Sequence, residues 1–220
     1  MDKERALVEQ LLANATSHSI NGFIYTQGTV GAHQVALLKC GIGKVAAALG
    51  ASALIESFAP DCIINSGVAG ALDPSVGVAD VVVASRTVYH DVYCGDEVPL
   101  GCIQGFPLYF EADKRLLESF QQLNLGKEAH VGLICSGDQF ITKLAELQTI
   151  KKNFPEGLAV DMESCAMAQT CHMLHVPFVS LRVISDTPGI NDHMTQYFDF
   201  WKIAPEKSFT VLKKLIETLK

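Results

Sequence analysis

Ala159-Val160-Asp161-Met162-Glu163-Ser164 closes a short apolar run with a cluster of acids, and Phe178-Val179-Ser180-Leu181-Arg182-Val183-Ile184-Ser185-Asp186 closes a longer run with one more. Both runs read as buried strands, because a strand covered on both faces carries a near-continuous apolar sequence. Met162 to Leu174 between them reads as a helix, so the three pieces form one strand-helix-strand unit. Ionised carboxylates are costly to bury unless something binds them, which marks acids at strand ends as candidates for catalysis or hydroxyl recognition. Each acid alone also has a structural role open to it. Asp161 or Ser164 can cap the helix, and Asp186 can anchor the turn at Pro188-Gly189. Two strand ends delivering acids to one sheet edge favour a site, since ligands of open α/β sheets bind outside the carboxyl ends of strands.

The same alternation extends in both directions. Upstream, residues 2–14 read as an amphipathic helix, followed by short strands around Gly22–Gln27 and Gln34–Cys40. A small-residue helix is predicted over Lys44–Phe58, a buried strand at Cys62–Asn65, a glycine loop at Gly67–Gly70 and a long strand at Val78–Val88. Tyr89–Phe110 is rich in Gly, Pro and aromatics and reads as a functional loop. Helices at Asp113–Leu123 and Thr142–Asn153, a strand at Ala129–Cys135 and a last helix near Pro205–Leu219 complete the pattern. No linker or repeat divides residues 1–220, so a single three-layer α/β/α domain with a central sheet is the economical fold.

Composition narrows the partners. A net charge of −7 with arginine only at positions 5, 86, 115 and 182 disfavours nucleic acid and anionic membranes, and leaves a small molecule as the expected partner. Seven cysteines without a C-x-x-C pair, no apolar signal core and no membrane-length apolar run lead to the expectation of a soluble cytoplasmic protein.

Several local motifs fail on inspection. Gly41-Ile42-Gly43-Lys44 is followed by Val45 where a P-loop needs Ser or Thr. Read as a dinucleotide fingerprint, it would pair with Asp61, which starts its strand and cannot reach a ribose at the carboxyl end. His172 and His175 beside Cys171 suit the end of a helix better than a metal site. Ser136 lacks the G-x-S-x-G setting of a nucleophile.

Six segments taken together resemble one family. They are Gly41–Ala48, Asn65–Gly70, Tyr89–Asp91, Ser136–Ile141, Val160–Glu163 and Arg182–Asp186, and they are similar to 5′-methylthioadenosine/S-adenosylhomocysteine nucleosidases in order and across nearly the whole chain. The resemblance implies a nucleoside phosphorylase-like fold with a mixed sheet, and hydrolysis of the N-glycosidic bond of a purine nucleoside without metal or organic cofactor. It also implies a homodimer in which the Tyr89–Phe110 loop helps close the partner's pocket.

Carried over by motif, Asp186 is the acid that protonates adenine N7, and an acid of raised pKa suits departure of a neutral base. Glu163 binds the ribose hydroxyls and Met162 packs on the sugar. Phe140 stacks on adenine, the backbone of Ile141 reads the base edge, and Val68, Ala69 and Gly70 lie near the ribose. Many members carry Ser at the position of Val68. Among the aromatics Tyr197, Phe198, Phe200 and Trp201, Phe198 is the expected contact of the alkylthio group. Met1-Asp2-Lys3-Glu4 matches the segment bearing the water-activating base, which makes Glu4 that base. Family members place an apolar strand ahead of this methionine, so the fold is expected to lack its first strand and the 220-residue form to turn over weakly or not at all. Two rivals remain: a purine nucleoside phosphorylase, which needs cationic phosphate ligands, and a non-catalytic nucleoside-binding protein of the same fold.

Overall fold

The computed structural model describes residues 2–20, 22–190, 192–203 and 205–219, without the side chains of 2–4, 193, 201–203 and 205–208. Helix α1 (Asp2–Glu9) leads into a separate antiparallel sheet of β1 (Ala13–Ile20), β2 (Phe23–Val30) and β3 (His33–Leu38). The chain continues through α2 (Lys44–Phe58), β4 (Ile63–Ala71), β5 (Val81–Tyr89), β6 (Phe110–Glu111), α3 (Lys114–Gln121) and β7 (Ala129–Ser136). It then forms α4 (Leu144–Asn153), β8 (Gly157–Asp161), α5 (Ser164–Met173), β9 (Phe178–Asp186), α6 (His193–Ile203) and α7 (Pro205–Thr218).

The mixed α/β architecture expected from the sequence is observed. The main sheet runs β6-β5-β7-β8-β4-β9, and its edge closes when β9 also pairs antiparallel with β5 through Val81 and Val183. Accumulated strand twist makes such curling favourable. Every residue of β9 is buried, including Arg182, because helices cover both faces of the strand. On one face α2 and α5 bring Ala47, Ala51, Cys165 and Met167 against Tyr89 and Phe178. On the other, Leu116 and Phe120 of α3 and Val211 and Leu215 of α7 pack on Val179, Leu181 and Val183.

Two local expectations are corrected. The helix read over residues 2–14 ends at Glu9, and Ala13–Ile20 is a mostly exposed edge strand whose polar sequence carries no apolar face to announce it. The segment Gly67–Gly70 is not a loop but the second half of β4, where alternate residues are buried as a pleated strand requires. The aromatic segment after Asp186 forms α6.

β8 and β9 do not lie side by side. β4 separates them, parallel to β9 and antiparallel to β8, and it overlaps β8 only at Gly70–Val160 and Ala71–Ala159. The carboxyl ends of β4 and β8 therefore meet head to head, and Gly70 pairs with both Val160 and Asp186. That junction brings the two acidic segments together.

Candidate active site

A cavity of about 1470 Å³ opens at this junction, with Val68, Ala69, Gly70, Met162, Glu163 and Asp186 on its wall. Gly70 permits the closest approach: a Cβ there would stand 2.7 Å from Pro188 Cγ, so a larger residue would push the turn after Asp186 out of place. Asp186 is 2% exposed, and the Ser185 hydroxyl donates to its Oδ1 at 2.6 Å.

Beneath the cavity lies a buried polar network centred on Asp161. Arg182 Nε stands 2.7 Å from Asp161 Oδ2, while the hydroxyls of Ser136 and Ser164 both donate to the same carboxylate. The amide of Asn65 donates to the hydroxyls of Ser164 and Ser180, each at 3.3 Å, and the backbone N–H of Cys165 donates to Ser136 Oγ at 2.9 Å. A buried charge pair is costly unless surrounding groups share the charge, and here two serine hydroxyls and the arginine converge on the one carboxylate. Asp161 is thus a supporting residue under the site, and it also accepts from the backbone N–H of Ser164 at the start of α5.

Glu163 sits above that network with its carboxylate held from two sides. Arg182 Nη2 lies 3.5 Å from Oε2, and the backbone N–H of Gly43 donates to Oε1 at 3.1 Å. The backbone of Gly43, just before α2, therefore holds a carboxylate of the chain itself. Gly43 has φ +88°, and a Cβ on it would meet Asp138 Oδ1 at 2.8 Å. Asp138 accepts from the backbone N–H of Lys44 at 2.7 Å, and Asp91 accepts from Lys44 Nζ at 2.6 Å and from the backbone N–H of Asp138 at 2.8 Å. The segments around Gly43, Asp91 and Asp138 are thereby locked into one rim. Burial, reinforced by the charge of Glu163, raises the pKa of the nearby Cys40 thiol and keeps it protonated.

The base-side residues come from the loop after β7 and from α6. Phe140 borders the cavity, is 47% exposed and meets Tyr197 edge-on at 5.7 Å. Ile141 buries its side chain with Leu72, Ile150 and Val160. Tyr197 and Phe200 of α6 face the cavity, whereas Phe198 is 58% exposed and packs edge-on against Tyr197 at 5.8 Å, so the structure does not bring Phe198 to the cavity wall. Glu4 lies on α1 with its side chain outside the described residues, as does the side chain of Trp201.

Sequence reasoning missed the role of Arg182 as the cation beneath both Asp161 and Glu163. The signal was present, since an arginine inside a wholly apolar strand needs a carboxylate partner. The Gly43 contact left no side-chain signature, because a backbone N–H makes it.

The family model of the phosphorylase superfamily matches residues 1–217. A 5′-methylthioadenosine/S-adenosylhomocysteine nucleosidase of Staphylococcus haemolyticus (strain JCSC1435) is 38% identical over 222 residues, which cover 100% of this chain and 97% of that protein. The structure of the S. pneumoniae nucleosidase with the transition-state inhibitor MT-ImmA superposes with a TM-score of 0.95 at 35% identity, covering 100% of this chain and 96% of the other. That of the Colwellia psychrerythraea nucleosidase in complex with adenine gives 0.94 at 33% identity, covering 100% and 93%. Matched from end to end in both sequence and structure, this chain belongs to the phosphorylase superfamily and, within it, to the 5′-methylthioadenosine/S-adenosylhomocysteine nucleosidase family.

Proposed function

We propose that this protein hydrolyses the N-glycosidic bond of 5′-methylthioadenosine and S-adenosylhomocysteine, releasing adenine and the thioribose product. The observation that carries the reading is the junction at Gly70, where a buried Asp186 and a tethered Glu163 share one cavity wall. Asp186 donates a proton to adenine N7 as the bond between C1′ and the base breaks, so the base leaves neutral. Glu163, already fixed by Arg182 and Gly43, accepts from the ribose hydroxyls without reorganising. Met162 packs on the sugar, Phe140 stacks on the base, and the backbone of Ile141 reads its edge. Glu4 takes the proton of the water that adds to C1′. The reaction needs no metal or organic cofactor, because both proton transfers run between substrate and carboxyl groups.

Phosphorolysis is the second reading, and the cations disfavour it. Each guanidinium has a carboxylate partner: Arg5 with Glu9 at 2.8 Å, Arg86 with Glu156, Arg115 with Asp113 at 3.4 Å, and Arg182 with Asp161 at 2.7 Å. Among the described residues no arginine is left to receive a phosphate nucleophile.

Residues 1–220 act as one domain in this reading, and the working form is a homodimer. An exposed apolar patch supports the dimer: Val45 and Leu49 are four apart on α2 and so share a face, and Ile42 is exposed just ahead of the helix. The seven free cysteines support a reducing cytoplasmic setting.

The test is adenine release from both substrates in phosphate-free buffer. Turnover that depends on added phosphate would overturn hydrolysis. Asp186→Asn is expected to lower kcat by about 10²–10⁴-fold, the usual worth of a positioned general acid, while a transition-state analogue still binds. Glu163→Ala should weaken analogue binding together with turnover.

A further inference from the structure

The strand that delivers Asp186 is irregular at its last step. β9 runs in regular parallel register with β4 from Phe178 opposite Ile63 to Ile184 opposite Ala69, and the next partner of β4, Gly70, then stands opposite Asp186. Ser185 is therefore an extra residue on the β9 side, a bulge of one. That bulge decides where the acid points. Side chains alternate along a strand, so without the extra residue Asp186 would share the face on which Ile184 packs with Ala71, Val82 and Ile134. Its flanks need to be held in place, because a slip of one residue turns a side chain to the other face.

On the other edge of β9 the hold comes from a turn ahead of β5. Beyond the last pair of these two strands, Val81 with Val183, the backbone N–H of Ile184 donates to the carbonyl of Asp80 at 2.9 Å, and that of Ala79 donates to the carbonyl of Ile184 at 2.8 Å. Both backbone groups of the residue just before the bulge are thus engaged by the turn. The turn is itself pinned. The backbone N–H of Asp80 donates to the Gly77 carbonyl at 3.0 Å, while Asp80 Oδ2 accepts from the backbone N–H of Gly77 at 2.9 Å and lies 3.0 Å from Nε2 of His130 at the start of β7. Ala79 has φ +71°, at the turn position where glycine is favoured. A side chain held in that region persists where its surroundings over-determine the backbone, and strain of this kind gathers at functional sites.

We propose that Asp80 is a positioning residue for the reaction: it shapes the Gly77–Asp80 turn, the turn clamps Ile184, and the clamp sets the bulge that aims Asp186 into the cavity. The inference rests on the reading of Asp186 as the acid that protonates the leaving base. Neither Ala79, Asp80 nor His130 lines the cavity, so their influence on the substrate passes through the strand. Proton transfer is sensitive to such a displacement, since donor and acceptor must come within hydrogen-bond reach. Glu163 is held through Arg182 and Gly43 rather than through the turn. Disturbing the clamp should therefore lower kcat and leave KM nearly unchanged.

The experiment is a double-mutant cycle on adenine release from 5′-methylthioadenosine, with melting temperatures as the control for folding. Asp80→Ala is expected to lower kcat about tenfold or more with KM within about twofold, whereas Asp80→Asn, which keeps an oxygen to accept from Gly77, should retain kcat within about threefold. In the Asp186→Asn background Asp80→Ala should lower kcat less than about twofold, since the proton donor is already gone. His130→Ala removes one partner of Asp80 and should lower kcat about threefold with the same dependence on background, which decides the matter should Asp80→Ala fail to fold. Equal losses in both backgrounds, or full kcat in the variants at Asp80 and His130, would overturn the clamp and leave the acid assignment standing. Full turnover by Asp186→Asn alone would overturn that assignment and the clamp with it.

Discussion

Asp161 and Glu163 differ by two positions and by their whole environment, which strand-end position alone does not reveal. Asp161 is enclosed by Arg182, Ser136 and Ser164, while Glu163 stands at the cavity wall with its carboxylate steadied from below and behind. Strand-end position was legible from the apolar runs; the division of labour came only through the family resemblance, and its physical basis stayed out of sight because it depends on serines and an arginine contributed by other elements. His90 offers a residue-scale test of the rim. Burial lowers its pKa below the ordinary 6.5, with the charge of Asp91 opposing that shift and that of Lys44 adding to it. The unfolded chain then takes up a proton more readily than the folded one. The stability contributed by neutral His90 is present above about pH 6.5 and is lost as the pH falls below it. The melting temperature should drop between about pH 7.5 and pH 5.5, and His90→Gln should show a smaller drop over that interval. An identical slope in the variant would mean that the acid sensitivity arises elsewhere.

At the scale of elements, strands buried on both faces were the most legible and edge elements the least. β9 reads directly from its sequence because helices cover both sides, whereas β1 is polar and exposed and gave no periodic signal. β4 was cut short at Asn65 because Gly67 and Gly70 read as breakers, yet in a strand pressed against Pro188 glycine serves close approach. α6 was legible only as a cluster of aromatics, and its register decides which of them matter: Tyr197 and Phe200 reach the cavity, and Phe198 does not. Phe140 has Tyr197 against its edge and nearly half its surface open, the arrangement of a ring waiting for a stacking partner. Phe140→Ala should therefore raise KM about tenfold, the loss of a stacking contact of roughly 1.4 kcal/mol, and change kcat less, whereas Phe198→Ala should leave KM for methylthioadenosine within about twofold. Steady-state kinetics of the two variants side by side decide between the two rings.

For the whole molecule, the rim of Lys44, Asp91 and Asp138 joins α2 at its first residue, next to the exposed apolar residues of that helix. Val45, 71% exposed, directly follows the lysine that anchors Asp91. The irregular segment from His90 to Tyr109 begins at that anchor, with Tyr93 also largely exposed. A second copy seated on α2 would bury Val45 and Leu49 and press on this segment at its fixed end, which ties assembly to the geometry of the site. Neither Val45 nor Leu49 lines the cavity, so changing them leaves the residues facing the substrate intact. On the proposed dimer, the double variant Val45→Arg with Leu49→Arg is expected to sediment as a monomer and the parent as a dimer, because two charges per copy would have to be desolvated at the contact. Adenine release by that monomer should fall with Glu163 and Asp186 unchanged, since the loop would lose the surface that holds it. A variant that remains dimeric would move the interface away from α2, and a monomer with full turnover would separate the assembly from the chemistry.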